Sequence, residues 1–226
     1  MYDRIMCARY TMTLPDEALS KLYGLARFAE FEPRFNIAPA QRVPVVRLDP
    51  EGERELVLMQ WGLVPAWARD IPIGAKLINA RSETVAEKPA FRRAFQRRRC
   101  LMPADGFYEW QPTNGRKQPV YIRLVGGEPF AFASLWEAWT SPDGEVLETC
   151  TLLTTEPNEL MRPIHNRMPV IVRAESYETW MSVEAKPADL MGLFKPFSSE
   201  AMEAWPVSMY VNNPRNEGPE CIRAVA

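Results

Sequence analysis

The 226 residues are 46% hydrophobic with a formal charge of -2, which supplies the core of one large domain and excludes a uniformly basic nucleic-acid coat, though not a local basic patch. Cys7, Cys100, Cys150 and Cys221 are widely separated without a CxxC pair, so neither a zinc site, nor a disulfide framework, nor a cofactor is indicated, and a reduced cytoplasm fits. No apolar run reaches membrane-spanning length and no secretory hydrophobic region opens the chain, so a soluble, intracellular monomer without a membrane partner is expected.

Met6-Cys7-Ala8-Arg9-Tyr10 puts a cysteine directly after a methionine that can itself initiate. With residues 1–6 absent or removed as a leader, the domain is 7–226 and Cys7 carries an α-amine of pKa about 7.7 to 8.0 beside a thiol of about 8.5. Such a 1,2-aminothiol traps an aldehyde, the amine forming an imine and the thiol closing a thiazolidine ring. The alternative is a small buried cysteine near the start of a strand.

Residues 15–30 predict a helix, with Leu19, Leu22, Leu25, Ala26 and Ala29 at helical spacing and Thr13 as its cap. Arg34-Phe35-Asn36-Ile37-Ala38-Pro39 reads as a polar loop before a hairpin of strands at 43–48 and 55–61, joined by an acidic turn at 49–53. Trp61 and Trp67 flank a loop with glycine and proline; Trp61 reads as core, and Trp67 as a stacking surface for a nucleobase. The run from Lys76 to Thr84, with Asn79 and Arg81 at its centre, is either a positioned site or a capped turn. A helix over 87–99 turns Phe91 and Phe95 inward and fans out Arg92, Arg93, Arg97, Arg98 and Arg99. Lacking acidic residues between Arg92 and Arg99, that run is either a solvated face or the footprint of a phosphate backbone.

A strand at 100–103 passes through a glycine turn into Ala104-Asp105-Gly106-Phe107-Tyr108-Glu109-Trp110. Glu109, between two aromatics, either faces solvent or occupies a pocket that raises its pKa and makes it a general acid/base. Strands at 120–125, 129–136 and 147–154 continue the β pattern. The fold class is α+β: a single domain with a large, mostly antiparallel, barrel-like β core and short peripheral helices. A helical turn at 158–161 precedes Pro163-Ile164-His165-Asn166-Arg167-Met168-Pro169, which holds the single histidine. His165 is an acid/base or oxyanion candidate, or structural, and alone it builds no His-rich metal site. A strand at 170–172, helices at 174–181 and 187–194, a strand over 205–211 and the turn Asn212-Asn213-Pro214-Arg215-Asn216 close the chain.

Met-Cys-x-Arg, Asn36-Ile37-Ala38-Pro39, Trp61-Gly62-Leu63-Val64-Pro65, Asn79-Ala80-Arg81-Ser82-Glu83-Thr84, the stretch from Ala104 to Trp110, Ile164-His165-Asn166-Arg167-Met168-Pro169 and the Asn212-Asn213 turn occur in that order. Together they resemble the SOS-response-associated peptidase family, the abasic-site processing proteins, over nearly the whole chain. The resemblance implies covalent shielding of abasic sites in single-stranded DNA through Cys7, with Asn79 orienting its amine, Glu109 moving protons for ring opening, and His165 aiding ring opening or reversal. It also implies phosphate contacts from Arg9, Arg81 and Arg167, and a strand lined by Asn36, Pro39, Trp67 and Thr154. Ala8 stands where the family usually has glycine, and residues 1–6 precede the motif and must be absent or cut away, a step that the peptidase activity in the family name would supply. Two other classes compete: a cysteine peptidase acting in trans, and a non-covalent single-strand-binding module whose salt-sensitive affinity survives loss of Cys7.

Overall fold

The computed structural model describes residues 7–113 and 115–225, so the expected leader at 1–6 lies outside the described residues. In chain order the strands are β1 (Tyr10–Met12), β2 (Arg27–Phe28), β3 (Arg34–Ile37), β4 (Arg42–Leu48), β5 (Arg54–Trp61), β6 (Asn79–Arg81) and β7 (Arg99–Ala104). They continue with β8 (Gly106–Thr113), β9 (Arg116–Leu124), β10 (Phe130–Thr140), β11 (Val146–Thr155), β12 (Met168–Pro169), β13 (Ile171–Val172) and β14 (Met202–Pro206). The helices are α1 (Asp16–Tyr23), α2 (Arg92–Arg97), α3 (Tyr177–Met181) and α4 (Pro187–Gly192).

Strands β11, β10, β7, β4 and β5 pair in that order as antiparallel neighbours. A parallel pairing of β5 with β11, Trp61 opposite Cys150, closes them into a barrel. Closure satisfies the edges that an open sheet leaves exposed. The expected hairpin is β4–β5, in register from Arg42 opposite Gln60 to Leu48 opposite Arg54. The barrel strands put Val43, Val45, Met59, Met102, Phe132 and Leu152 on one face, all buried.

A second sheet, ordered β14-β9-β8-β1-β3, lies against this barrel. Tyr10 on β1 meets Trp61 edge to face at 5.6 Å and Phe132 at 5.8 Å, fastening β1 to two barrel strands three residues after Cys7. Successive strand side chains point to opposite faces. Phe107 on β8 therefore joins the main core, while Tyr108 joins Tyr121, Val207, Val211 and Cys221 in a smaller core under the C-terminal segment.

Several local expectations are corrected. The helix predicted over 15–30 ends at Tyr23, because Gly24 adopts a left-handed cap (φ 60°) and Arg27–Phe28 then pairs in parallel with β5. Thr13 does not cap it; its hydroxyl and its amide N–H both donate to Asp105. Residues 34–37, read as loop, form β3 against β1. The strand expected over 205–211 is β14 only to Pro206, after which residues 209–212 turn in a 3-10 helix capped by Ser208. The arginine fan is also smaller than expected. Helix α2 covers only Arg92–Arg97; Arg98 pairs with Glu137 of β10, and Arg99 is buried against backbone carbonyls of Phe95, Gln96, Trp180 and Ser182. A carboxylate from a distant strand supplies the counter-charge that the local sequence lacks. Among the described residues no helix is long and apolar enough to cross a membrane.

Candidate functional site

The site is built where the chain enters β1 beside β8. Tyr10 opposite Phe107 and Thr11 opposite Gly106 set the register, and the Tyr108 N–H donates to the Arg9 carbonyl at 3.0 Å, extending the ladder towards Cys7. Two side-chain devices hold this register. Asp105 accepts from the hydroxyls of Thr11 and Thr13 and from the Thr13 N–H at 2.7 Å, so one buried carboxylate grips both ends of the strand turn. Gly106 lets the strands approach: a Cβ there would lie 2.1 Å from the Tyr121 hydroxyl, which no side chain can satisfy without displacement.

The consequence is a short contact between two residues 102 positions apart: the Cys7 N–H donates to Glu109 Oε1 at 2.6 Å. Cys7 is 1% exposed and Glu109 2% exposed, which resolves the solvent-or-pocket alternative for Glu109 in favour of the pocket. Glu109 shares the barrel-facing side of β8 with Phe107, two residues away. Burial pushes its carboxyl up to about 8, against the opposing pull of the Cys7 and Trp110 N–H groups and of Lys117. Burial, and then the charge of Glu109, raise the Cys7 thiol well above its ordinary value. Cys7 also has φ 37°, a left-handed conformation that costs a non-glycine residue on the order of 1–3 kcal/mol.

In front of Glu109 opens a cavity of about 520 Å³, bounded by Ala8, Arg9, Trp110, Lys117, Arg162 and His165 among others. Gln111 Nε2 donates to the Pro163 carbonyl at 3.1 Å, tying the histidine turn to β8. His165 Nδ1 accepts the Arg167 N–H at 3.1 Å, which assigns the proton of the neutral ring to Nε2. Arg9 donates to Asn36 Oδ1 and to the Val211 carbonyl, each at 2.7 Å, and stands 5.6 Å from the Trp110 ring centroid. Asn36 is fully buried, and its amide donates to the carbonyls of Val211, Asn213 and Asn216. It therefore fastens the C-terminal segment and holds Arg9.

The remaining expected residues form a neighbouring group. Asn79 and Arg81 stand on β6 opposite Leu152 and Thr154 of β11. Arg167 makes a two-pronged ion pair with Glu83 and donates to the Thr154 carbonyl at 2.6 Å. The hydrogen bond from Arg167 holds the Glu83 carboxyl below its ordinary range. Thr154 is itself fully buried. The two groups meet through the turn from His165 to Arg167. Pro39 is half-buried beside Ala40, and Trp67 is 61% exposed in a small cavity with Arg93 and Glu137 that shares no lining residue with the one at Glu109. Sequence reasoning did not single out Lys117 or Arg162. Lys117 becomes visible only through the β8–β9 register, which sets it opposite Pro112.

A partly protonated carboxyl beside a buried nitrogen and thiol, at the mouth of a cavity rimmed with cations, can transfer protons during attack on an electrophile carried by an anionic ligand. A family profile described as SOS response associated peptidase matches residues 6–214. The chain is similar to abasic site processing protein YoqW of Bacillus subtilis, at 42% identity over 97% of this chain and 100% of that protein. It is also similar to abasic site processing protein HMCES of Xenopus tropicalis, at 33% identity over 87% of this chain and 67% of that protein. A crystal structure of a Bacteroides thetaiotaomicron protein superposes with a TM-score of 0.89 at 26% identity, covering 97% of this chain and all of the other. With its profile match across the cysteine, glutamate and histidine segments, the chain belongs to the SOS response associated peptidase family.

Proposed function

We propose that this protein forms a covalent thiazolidine between Cys7 and an abasic site in single-stranded DNA, shielding the lesion, once residues 1–6 are absent. The observation that carries the reading is the 2.6 Å contact between the Cys7 nitrogen and Glu109 at the cavity. The amine adds to the sugar aldehyde, and Glu109 gives its proton to the departing hydroxyl, leaving a protonated imine, one water and a carboxylate. That carboxylate takes the thiol proton, and the thiolate closes on the iminium carbon, whose nitrogen keeps its hydrogen as the neutral ring amine. A carboxyl near 8 is matched to an amine of about 7.7 to 8.0, so the proton moves between them at little cost. His165 and Asn79 assist by opening the sugar hemiacetal and orienting the amine, and holding all groups together makes both bond-forming steps intramolecular. Arg9, Arg81, Arg167, Pro39 and Trp67 serve the DNA strand directly, and Asn36 and Thr154 through the arginines they hold. The protein acts as a cytoplasmic monomer.

The same contact supports self-processing. While Met6 is attached, the bonded nitrogen is an amide and cannot form an imine, its lone pair being delocalised. Attack of the Cys7 thiol on the preceding carbonyl, with Glu109 protonating the departing nitrogen, gives a thioester that water hydrolyses.

Incubation with single-stranded DNA carrying an abasic site, followed by a denaturing gel, tests the proposal. A heat-stable shifted band that requires Cys7 is expected. Thiol-dependent cleavage of an added peptide without that band favours a peptidase in trans, and salt-sensitive binding without it favours a binding module.

A further inference from the structure

We infer that Lys117 and Arg162 form a phosphate clamp across the cavity, holding the linkage next to the abasic sugar; this rests on the DNA reading above. Three cationic side chains, Arg9, Lys117 and Arg162, line the cavity, and its one carboxyl, Glu109, is largely neutral at pH 7. The cavity thus presents net positive charge to whatever enters.

The three cations are not equivalent. Arg9 is held in place by Asn36 and Val211 and lies over Trp110. Lys117 and Arg162 are exposed and sit on separate elements, Lys117 on β9 and Arg162 on the turn before His165. Gln111 of β8, paired with Gln118 of β9, donates to the Pro163 carbonyl, so β8 links the two elements and the two cations line one opening. Beyond Arg162 the adjoining cleft is lined by Glu156, Glu159 and Glu200. Positive charge therefore ends at Arg162, and a polyanion seated on the pair is repelled from going further that way. An abasic nucleotide has no base to recognise, so its sugar is located by its flanking phosphates, and charged donors on both sides of the opening suit one such group.

The test is a cycle between protein and DNA. The probe is a single strand bearing a tetrahydrofuran abasic analogue, which has no aldehyde and binds without reacting. In its partners the phosphate on one or the other side of the analogue is replaced by an uncharged methylphosphonate. For the wild type, one of the two replacements should weaken binding about tenfold and lower the salt slope by about 0.7. K117Q/R162Q should bind the unmodified probe about as weakly, and the same replacement should cost it little more. Additive losses, or a variant that binds like the wild type, overturn the clamp. Thermal melting of the variant, expected to be unchanged for two exposed residues, separates loss of binding from loss of fold; K117R/R162K should restore binding. The covalent reading is scored separately on the aldehyde-bearing strand, so coupling without a crosslink sinks only that reading, and a crosslink without coupling sinks only the clamp.

Discussion

Glu109→Gln isolates the cost of keeping an ionisable group in the site. The carboxyl, ordinarily near 4.5, is pushed up to about 8 by burial. The unfolded chain releases its proton near the lower value and the folded chain near the higher one, so between them the folded state binds more protons. Stability therefore falls as pH rises through this window, by about 1.4 kcal/mol per pH unit and about 5 kcal/mol across it. Below the window both states are protonated, and above it both are ionised, so the slope vanishes at each end. The substituted amide keeps an acceptor for the Cys7 N–H but cannot ionise. Urea unfolding of both proteins from pH 4 to pH 9, each carrying Cys7→Ala and residues 1–6 so that the neighbouring nitrogen stays an amide, gives the difference curve. Other titrating groups cancel in it. The glutamine variant should gain on the parent steadily from about pH 5 to pH 8 and then level off. A flat difference curve would refute the buried, proton-holding carboxyl and with it the proton relay. In the Cys7 background the same substitution should slow adduct formation while leaving DNA binding nearly intact.

Cys7→Ala should abolish the covalent product and retain measurable DNA binding; intact mass should show Met1 to Met6 kept in this variant and lost in the wild type when self-cleavage operates. His165→Ala should change reversal of the adduct more than initial binding, whereas equal losses in every assay indicate a structural histidine. Asn36→Ala removes the amide shared among three C-terminal carbonyls and the acceptor for Arg9; a loss of about 2–4 kcal/mol in urea unfolding is expected, with slower crosslinking, and a neutral result contradicts the fastening role. Gly106→Ala forces a methyl against the Tyr121 hydroxyl and ring and should cost at least about 1–3 kcal/mol in urea unfolding; Tyr121→Phe in the same chain should not recover it, because ring carbons at 2.3 and 2.5 Å from the new methyl remain.

Local chemistry is readable wherever it follows from neighbours in the chain. The 43–48 and 55–61 alternation announces a hairpin, and β4 and β5 form it in register, because side-chain period and turn residues act over a few positions. The expectation of a latent aminothiol at Met6-Cys7 rests on covalent order alone, without reference to the fold. The aromatic flanks of Glu109 leave two environments open, and only the packing of β1 and β8 against the barrel decides between them. Burial is set by what arrives on both faces of a strand, and here it arrives from β1, from the barrel and from the turn at 163–165. Charge is the least legible quantity. The arginine run 97–99 reads as an open patch because Glu137 and the carbonyls that engage Arg98 and Arg99 come from other elements. Lys117 and Arg162, unremarkable in sequence, become neighbours of Glu109 only through sheet register and a turn bonded back to β8. Electrostatic energy depends on distance through space, and the chain by itself specifies only distance along its length.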